Sequence, residues 1–349
     1  MIKLIFICVF LIFRFSFGQE FINDALTNYF GNASNRPVLG ITILNDTVWA
    51  LGYGSLVRNI DSTFEKFWLD SDSKGNLLYF TDSNNFNIWE NITSNDNAIC
   101  LYMDDTTKLS FLIISNNFVR NVNLIKDEIS FASNVNLDEN NKIWFVGNYK
   151  NDTKPAICYL MNDSLYTFSM KLPDSLIDYR VNKLFIKKSD KFVVLSKFGK
   201  DFIMNSFVLK IDSLNNYTYL NFPSHKQNNN GHITYNFYSD KKTLYILNNY
   251  SDLLILDSDI KNLNIKEEYL GECFSFVAIN NSIYYGYTET NTEINLTEFD
   301  LINSDKKSYS KPYSFNRGVG YMLLFKDIII GLSGPCYQWN GEIFKFKYK

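Results

Sequence analysis

Lys and Arg together number 34 in this 349-residue chain, and only six of them are Arg. A guanidinium grips a carboxylate or phosphate through two parallel hydrogen bonds, which an ammonium does not do. Arg36, Arg120, Arg180 and Arg317 fall between strand-like runs, Arg58 sits within one, and Arg14 belongs to an N-terminal apolar stretch. Tyrosines near the same breaks, among them Tyr53, Tyr149, Tyr250, Tyr287 and Tyr313, offer flat faces for stacking on a peptide or a sugar. Arg36, Arg180, Arg317, Tyr149 and Tyr313 therefore form the candidate ligand-binding set, suited to an anionic glycan or a peptide carboxylate. The competing reading pairs the loop arginines with nearby acids such as Asp178 and packs the tyrosines between sheets.

Catalytic chemistry has less to build on. No phosphate loop, H-E-x-x-H zinc motif or G-x-S-x-G nucleophile elbow occurs. The two histidines, His225 and His232, share one polar stretch with no evident third ligand, so no metal and no cofactor are expected. None of Cys100, Cys158, Cys273 and Cys336 belongs to a C-x-x-C pair; they read either as buried thiols or as two disulfides of open connectivity. The formal net charge of −3 supplies no basic excess for phosphate backbones, which argues against a nucleic-acid partner.

The elements that position these residues begin after an export signal. Lys3, the apolar run Leu4 to Phe13 and the small residues Ser16 and Gly18 before Gln19 fit a secretory signal peptide over 1–18, too short to span a bilayer. The chain is then expected in the periplasm, outside the cell or on its surface, as a monomer with no transmembrane segment. Tyr (23) and Phe (30) dominate an aromatic share of 17%, and 44 residues are Asn. Aromatic and β-branched residues favour pleated sheet, and the abundance of apolar side chains excludes disorder.

A repeat organises the remainder. An apolar strand ending in Asp or Asn recurs at positions 61, 104, 162, 212, 257, 300 and 340, a mean step of about 46 residues. A hairpin precedes each, turning at pairs such as Asn45-Asp46, Ser189-Asp190, Ser239-Asp240 and Asn280-Asn281. Four short strands per unit with this period predict an all-β chain folded as a β-propeller over 38–349, of seven blades with four antiparallel strands each. Six or eight blades remain alternatives. Because the first unit begins on its first strand and the last ends on its fourth, the segment 19–37 is expected to add an extra strand or short helix and not to close the ring.

The stretch from Asp138 to Gly147, with its polar turn and Ile143-Trp144, resembles the repeat of two-component-regulator-type propellers. Asp72 to Thr81 and Asn45 to Gly52 are looser versions of it. The resemblance implies a propeller, often the extracytoplasmic sensing part of a larger protein. The expected function is an exported binding or sensing module for an unknown protein, peptide or glycan, with its site on one face of the ring. The alternative is a carbohydrate-active hydrolase or lyase on the same scaffold.

Overall fold

The computed structural model describes residues 20–22, 38–52, 55–60, 63–68, 91–104, 108–115, 118–125, 129–149, 155–199, 203–226, 233–240, 242–257, 260–265, 270, 274–287, 293–312, 318–334 and 342–348. The proposed signal segment and Arg36 lie outside these residues.

Seven four-stranded antiparallel sheets form a ring, a seven-bladed β-propeller. The innermost strands are Val38–Leu44, Asn91–Ser94, Ile129–Leu137, Arg180–Lys187, Tyr235–Ser239, Phe274–Ile279 and Gly318–Phe325. Each touches the innermost strands of both neighbouring blades, so the circle is closed. The apolar core is correspondingly divided into wedges between blades. Trp49, Leu51, Ile99 and Leu101 fill the seam of blades one and two; Phe111, Phe145, Cys100 and Cys158 fill the next. Central strands are buried on both faces, as in Phe274–Ile279, where every residue is buried. A strand buried on both sides reads as a continuous apolar run, not as an alternation.

The turns behave as their residue types require. Asn45 and Asp46 both have positive φ (51° and 53°), as do Asn162 and Asp163 (52° and 62°), the geometry of tight hairpins that keep the strand twist. Longer turns are held by a carboxylate or amide that accepts backbone N–H groups. Asn95 takes those of Asn97 and Ala98, Asp240 those of Lys242 and Thr243, and Asp300 those of Ile302 and Asn303.

Turns do not account for all of the asparagine. Asn136 donates to the Leu184 carbonyl (3.2 Å) and Asn236 to the Phe274 carbonyl (2.6 Å), each reaching from one innermost strand to the next. Asn95 donates to the Asp138 carbonyl (2.6 Å), and Ser94 to the Ile43 carbonyl (2.9 Å). Lys187 does the same for the Thr243 carbonyl (3.1 Å). These side chains tie one blade to the next through backbone acceptors at or near their inner edges.

Two details differ from the expected organisation. Blade two consists of Asn91–Ser94, Ala98–Asp104, Lys108–Ser115 and Val119–Ile125, so Asp104 ends its second strand and not its third. By the repeat, the hairpin before Ala98–Asp104 is expected to begin at 77–81, a run that lies outside the described residues. In blade seven, Glu342–Lys347 is the third strand, and the fourth is supplied by Glu20–Ile22 from the other end of the chain. The N-terminal segment therefore does close the ring. Phe21 sits edge-on to Phe344 and Phe346, with centroids 6.0 and 5.2 Å away, and these rings give a three-residue strand its hold.

Phe21→Ala is expected to lower unfolding stability by about 2 kcal/mol, less than a fully buried phenylalanine because the ring is half-exposed. Urea denaturation followed by tryptophan fluorescence measures it; an unchanged midpoint would show that the closing strand contributes nothing.

Candidate functional site

In a four-stranded meander, the connections from one blade to the next emerge on the same face as those joining second to third strands. The first-to-second and third-to-fourth turns emerge on the opposite face, called here the hairpin face. The connection face carries the start of every innermost strand, and there the structure places what it describes of the candidate set. Arg180 is the first residue of the innermost strand of blade four, and Tyr149 the last of the second strand of blade three, paired with Ile129. Arg317, Tyr313 and Tyr53 join Arg36 outside the described residues, although Gly318 and Val38, which begin innermost strands, lie on this face.

Arg180 is exposed. Its expected partner, Asp178, is held instead by Lys197 at 2.7 Å, and Arg180 has no ion pair among the described residues. Arg120 behaves otherwise. It lies near the hairpin face, in the fourth strand of blade two, and grips Asp163 in a turn of blade three through Nε (3.0 Å) and Nη2. For Arg120, then, the reading as a structural pair holds. Arg58, stacked 5.6 Å from the Trp49 ring, is also architectural. Tyr287 is buried in the seams around blade six. His225 lies in the fourth strand of blade four, opposite Met204, and His232 is outside the described residues.

Residues that scarcity did not single out stand beside Arg180. The first strand of blade four carries a register shift between Val181 and Lys183, so Asn182 is an extra residue on that strand. Shifts occur at the same end of the innermost strands in blade one (Val38/Gly40), blade three (Ile129/Ala132) and blade seven (Val319/Tyr321). A bulge re-aims the side chains that follow it. Here it sets Lys183 opposite Val194, whose face packs toward blade five, and Arg180 opposite Ser196, two residues further along that face. Arg180 and Lys183 thus share one side of the strand. Lys183 is half-buried, and burial alone pulls its amine below the usual lysine range, with no neighbouring charge contributing. Neither Asn182 nor Lys183 has a hydrogen-bond partner among the described residues. Across the ring, Tyr321 is 45% exposed, yet burial pushes its phenol up.

The motif that carries the family resemblance lies on the hairpin face. Asp138 accepts the N–H groups of Asn140 (2.9 Å) and Lys142 (3.0 Å) through Oδ1 and the Trp144 indole (2.9 Å) through Oδ2. Lys142 and Lys191 then lie 4.5 and 4.8 Å from the Trp144 ring centre, both amines lowered mainly by burial. The indole fills the seam of blades three and four, so the repeat motif is a turn clamp joined to a packing residue.

Two cysteines and two tyrosines among the described residues are held in their protonated forms. Cys100 and Cys158 are free thiols, buried and pushed up, Cys158 to about 12; Cys273 and Cys336 lie outside the described residues. Glu298 accepts Tyr284 (2.7 Å), Ser282 (3.1 Å) and Tyr309 (2.9 Å), and both phenols are pushed up, first by burial and then by that carboxylate. No group of three or more potential metal ligands occurs among the described residues. No helix among them is long and apolar enough to cross a membrane.

No sequence-family model and no curated protein matches the chain. Solved structures do. The extracellular domain of the hybrid two-component system BT4673 of B. thetaiotaomicron superposes with a TM-score of 0.52 at 12% identity, over 95% of this chain and 42% of that one. A puromycin-hydrolysing peptidase of Mycobacterium tuberculosis gives 0.58 at 6% identity, over 95% and 54%. YCF48 bound to D1 peptide gives 0.54 at 10% identity, over 95% and 97%. This chain spans about half the length of the first two. At such identities the likeness is one of fold.

The raised phenols make a pH dependence calculable in sign. Tyr235, Tyr238, Tyr284 and Tyr309 titrate above the ordinary value of 10.0, so each stabilises the fold fully below that pH. Above it the unfolded chain ionises while the folded one does not, and this stabilisation is lost. Urea midpoints should therefore show no loss from these phenols between pH 7 and 9 and fall steeply above pH 10; a flat profile to pH 11.5 contradicts the assignment.

Proposed function

We propose that this chain is an exported β-propeller that binds a protein or peptide segment on the connection face of its ring. The observation that carries the reading is Arg180, an exposed guanidinium at the start of an innermost strand with no ion pair among the described residues, beside a carboxylate that Lys197 holds. Surface arginines with an acid in reach ordinarily pair with it, and one left free is available to a ligand. Two structural neighbours support this reading without establishing it: one is the extracellular domain of a two-component system and another was captured with a peptide bound. Export is proposed from the signal-like segment 1–18. Arg36, Arg317, Tyr149 and Tyr313 are proposed to extend the same surface.

Peptide and glycan arrays probed with the secreted chain test the assignment. Binding to peptides, weakened roughly tenfold or more by Arg180→Ala, is the expected outcome, since a charged hydrogen bond is worth about 1.5–3 kcal/mol. The variant should keep the parent's unfolding midpoint because the side chain is exposed. Ligands that bind Arg180→Ala as tightly as the parent place the site elsewhere.

A further inference from the structure

Peptide binding through Arg180 leaves Lys183 unused, and the surroundings of that lysine give it a chemistry of its own. Four lysines among the described residues have amines pulled below the usual range, chiefly by burial. Three of them are compensated. Lys187 donates to the Thr243 carbonyl at 3.1 Å and Lys191 to that of Ser189 at 3.3 Å. Lys142 rests on the Trp144 and Tyr159 rings, 4.5 and 3.5 Å from their centres, and Asp138 restores part of its basicity. Lys183 has no hydrogen bond, ion pair or ring contact among the described residues.

The strand carries Lys183 into an apolar wedge. Asn182 is the extra residue of the bulge, so Lys183 stands opposite Val194 and on the same side as Phe185. That side packs on blade five, where Phe192, Val194, Val208 and Tyr235 form the core and Phe185 stacks on Phe237 at 5.2 Å. The charged groups sharing this side are Arg180 toward the connection face and Lys187, Asp190 and Lys210 toward the hairpin face. Lys210 and Asp190 pair with each other at 3.3 Å, and no charge contributes to the lowering at Lys183. Blade five offers only a neutral phenol, Tyr235, which donates to Ser206. An ammonium half-removed from water without a counter-charge is relieved by losing its proton, and the free amine that results is a nucleophile. Part of the residue still meets solvent, so a small molecule can reach it.

We infer that Lys183 is a covalent capture site, a nucleophilic amine for small uncharged aldehydes. The inference goes beyond the peptide binding proposed above and does not depend on it. The Nζ lone pair attacks the carbonyl carbon, and the carbonyl oxygen takes one amine hydrogen to give a carbinolamine. That oxygen then leaves as water with the second amine hydrogen, and the C=N bond of an imine remains. Small size suits a half-buried amine, and the apolar wedge offers nothing to a charged substituent.

The test is reductive alkylation of the folded protein with propionaldehyde and cyanoborohydride, which delivers hydride to the imine and fixes it as a secondary amine. Peptide mass mapping reads the rate at each lysine between pH 6.5 and 10.5. Each unit by which an amine lies below the usual lysine range gives about tenfold more free base near neutral pH, offset in part by lower basicity. At pH 7.5 Lys183 is expected to react at least about fivefold faster than the exposed Lys242 and Lys306, and its rate to level off at a lower pH than theirs. Concentrated urea should abolish the preference. Lys183→Met keeps the aliphatic stem, so it should hold or raise the unfolding midpoint while removing the fast site and creating no other. A Lys183 that reacts no faster than Lys242 and Lys306, or whose rate climbs alongside theirs to pH 10.5, would overturn the assignment. So would a preference that survives in urea, since it would then owe nothing to the wedge.

Discussion

The inner edges of the blades are the constraint on which the rest depends. Seven radial sheets present their first strands to the centre of a ring, and backbone groups there lack a neighbouring strand. The chain answers with side chains: Asn136, Asn236 and Ser94 reach from one innermost strand to a carbonyl of a neighbouring one, and Lys187 reaches the turn carbonyl of Thr243 in the next blade. Apolar wedges do the remaining work, and some have no slack. A Cβ at Gly286 would meet Val319 of the next blade at 2.5 Å, so blades six and seven approach as closely as a hydrogen side chain permits. A circle assembled from such seams holds only if its last joint is made, and the short strand at Phe21 makes it.

That joint also marks where sequence reasoning stopped. Seven units and their turns were legible because Asn45-Asp46, Asp212 and Asp300 are the residue types that positive φ and N–H capture demand. The phase of blade two was not: Ala98–Asp104 and Lys108–Ser115 are both apolar runs, and nothing in composition ranks second strand from third. Three residues of strand, Glu-Phe-Ile, carry no periodicity at all, and their pairing with Glu342–Lys347 depends on two termini meeting in space. The bridging role of Asn136 and Asn236 was likewise illegible, because a bridge between blades leaves no local pattern.

The candidate site shows the same division. Arg180 was legible through scarcity, and Asp178 was a reasonable partner until Lys197 proved to occupy it. Lys183 was one lysine among many. What distinguishes it is the bulge at Asn182, which alters the side chain's direction without altering the hydrophobic pattern, and the lack of a partner among the described residues, which only coordinates reveal. The motif closest to a known repeat, Asp138 to Trp144, turned out to be a clamp within a seam. Residues spent on architecture recur from blade to blade; those free for a ligand depart from the repeat.

The two faces of the ring differ in how freely their residues can depart from the repeat. On the hairpin face the turns are short, and their carboxylates and amides are committed to backbone N–H groups, as Asp240 and Asp300 are. Substitutions there would loosen the strands themselves. Between blades the chain has room: twelve residues separate Thr167 from Arg180, and they set Tyr179 and Asp178 beside the ring's mouth. Bulges in the innermost strands of blades one, three, four and seven lie toward that same end, whereas the ladders of blades five and six run without a shift. The mouth is therefore uneven around its circumference, and an uneven ring can orient a ligand where a symmetric one could only centre it. Rigid seams keep that asymmetry fixed, so the positions of the bulges set where the mouth departs from sevenfold symmetry.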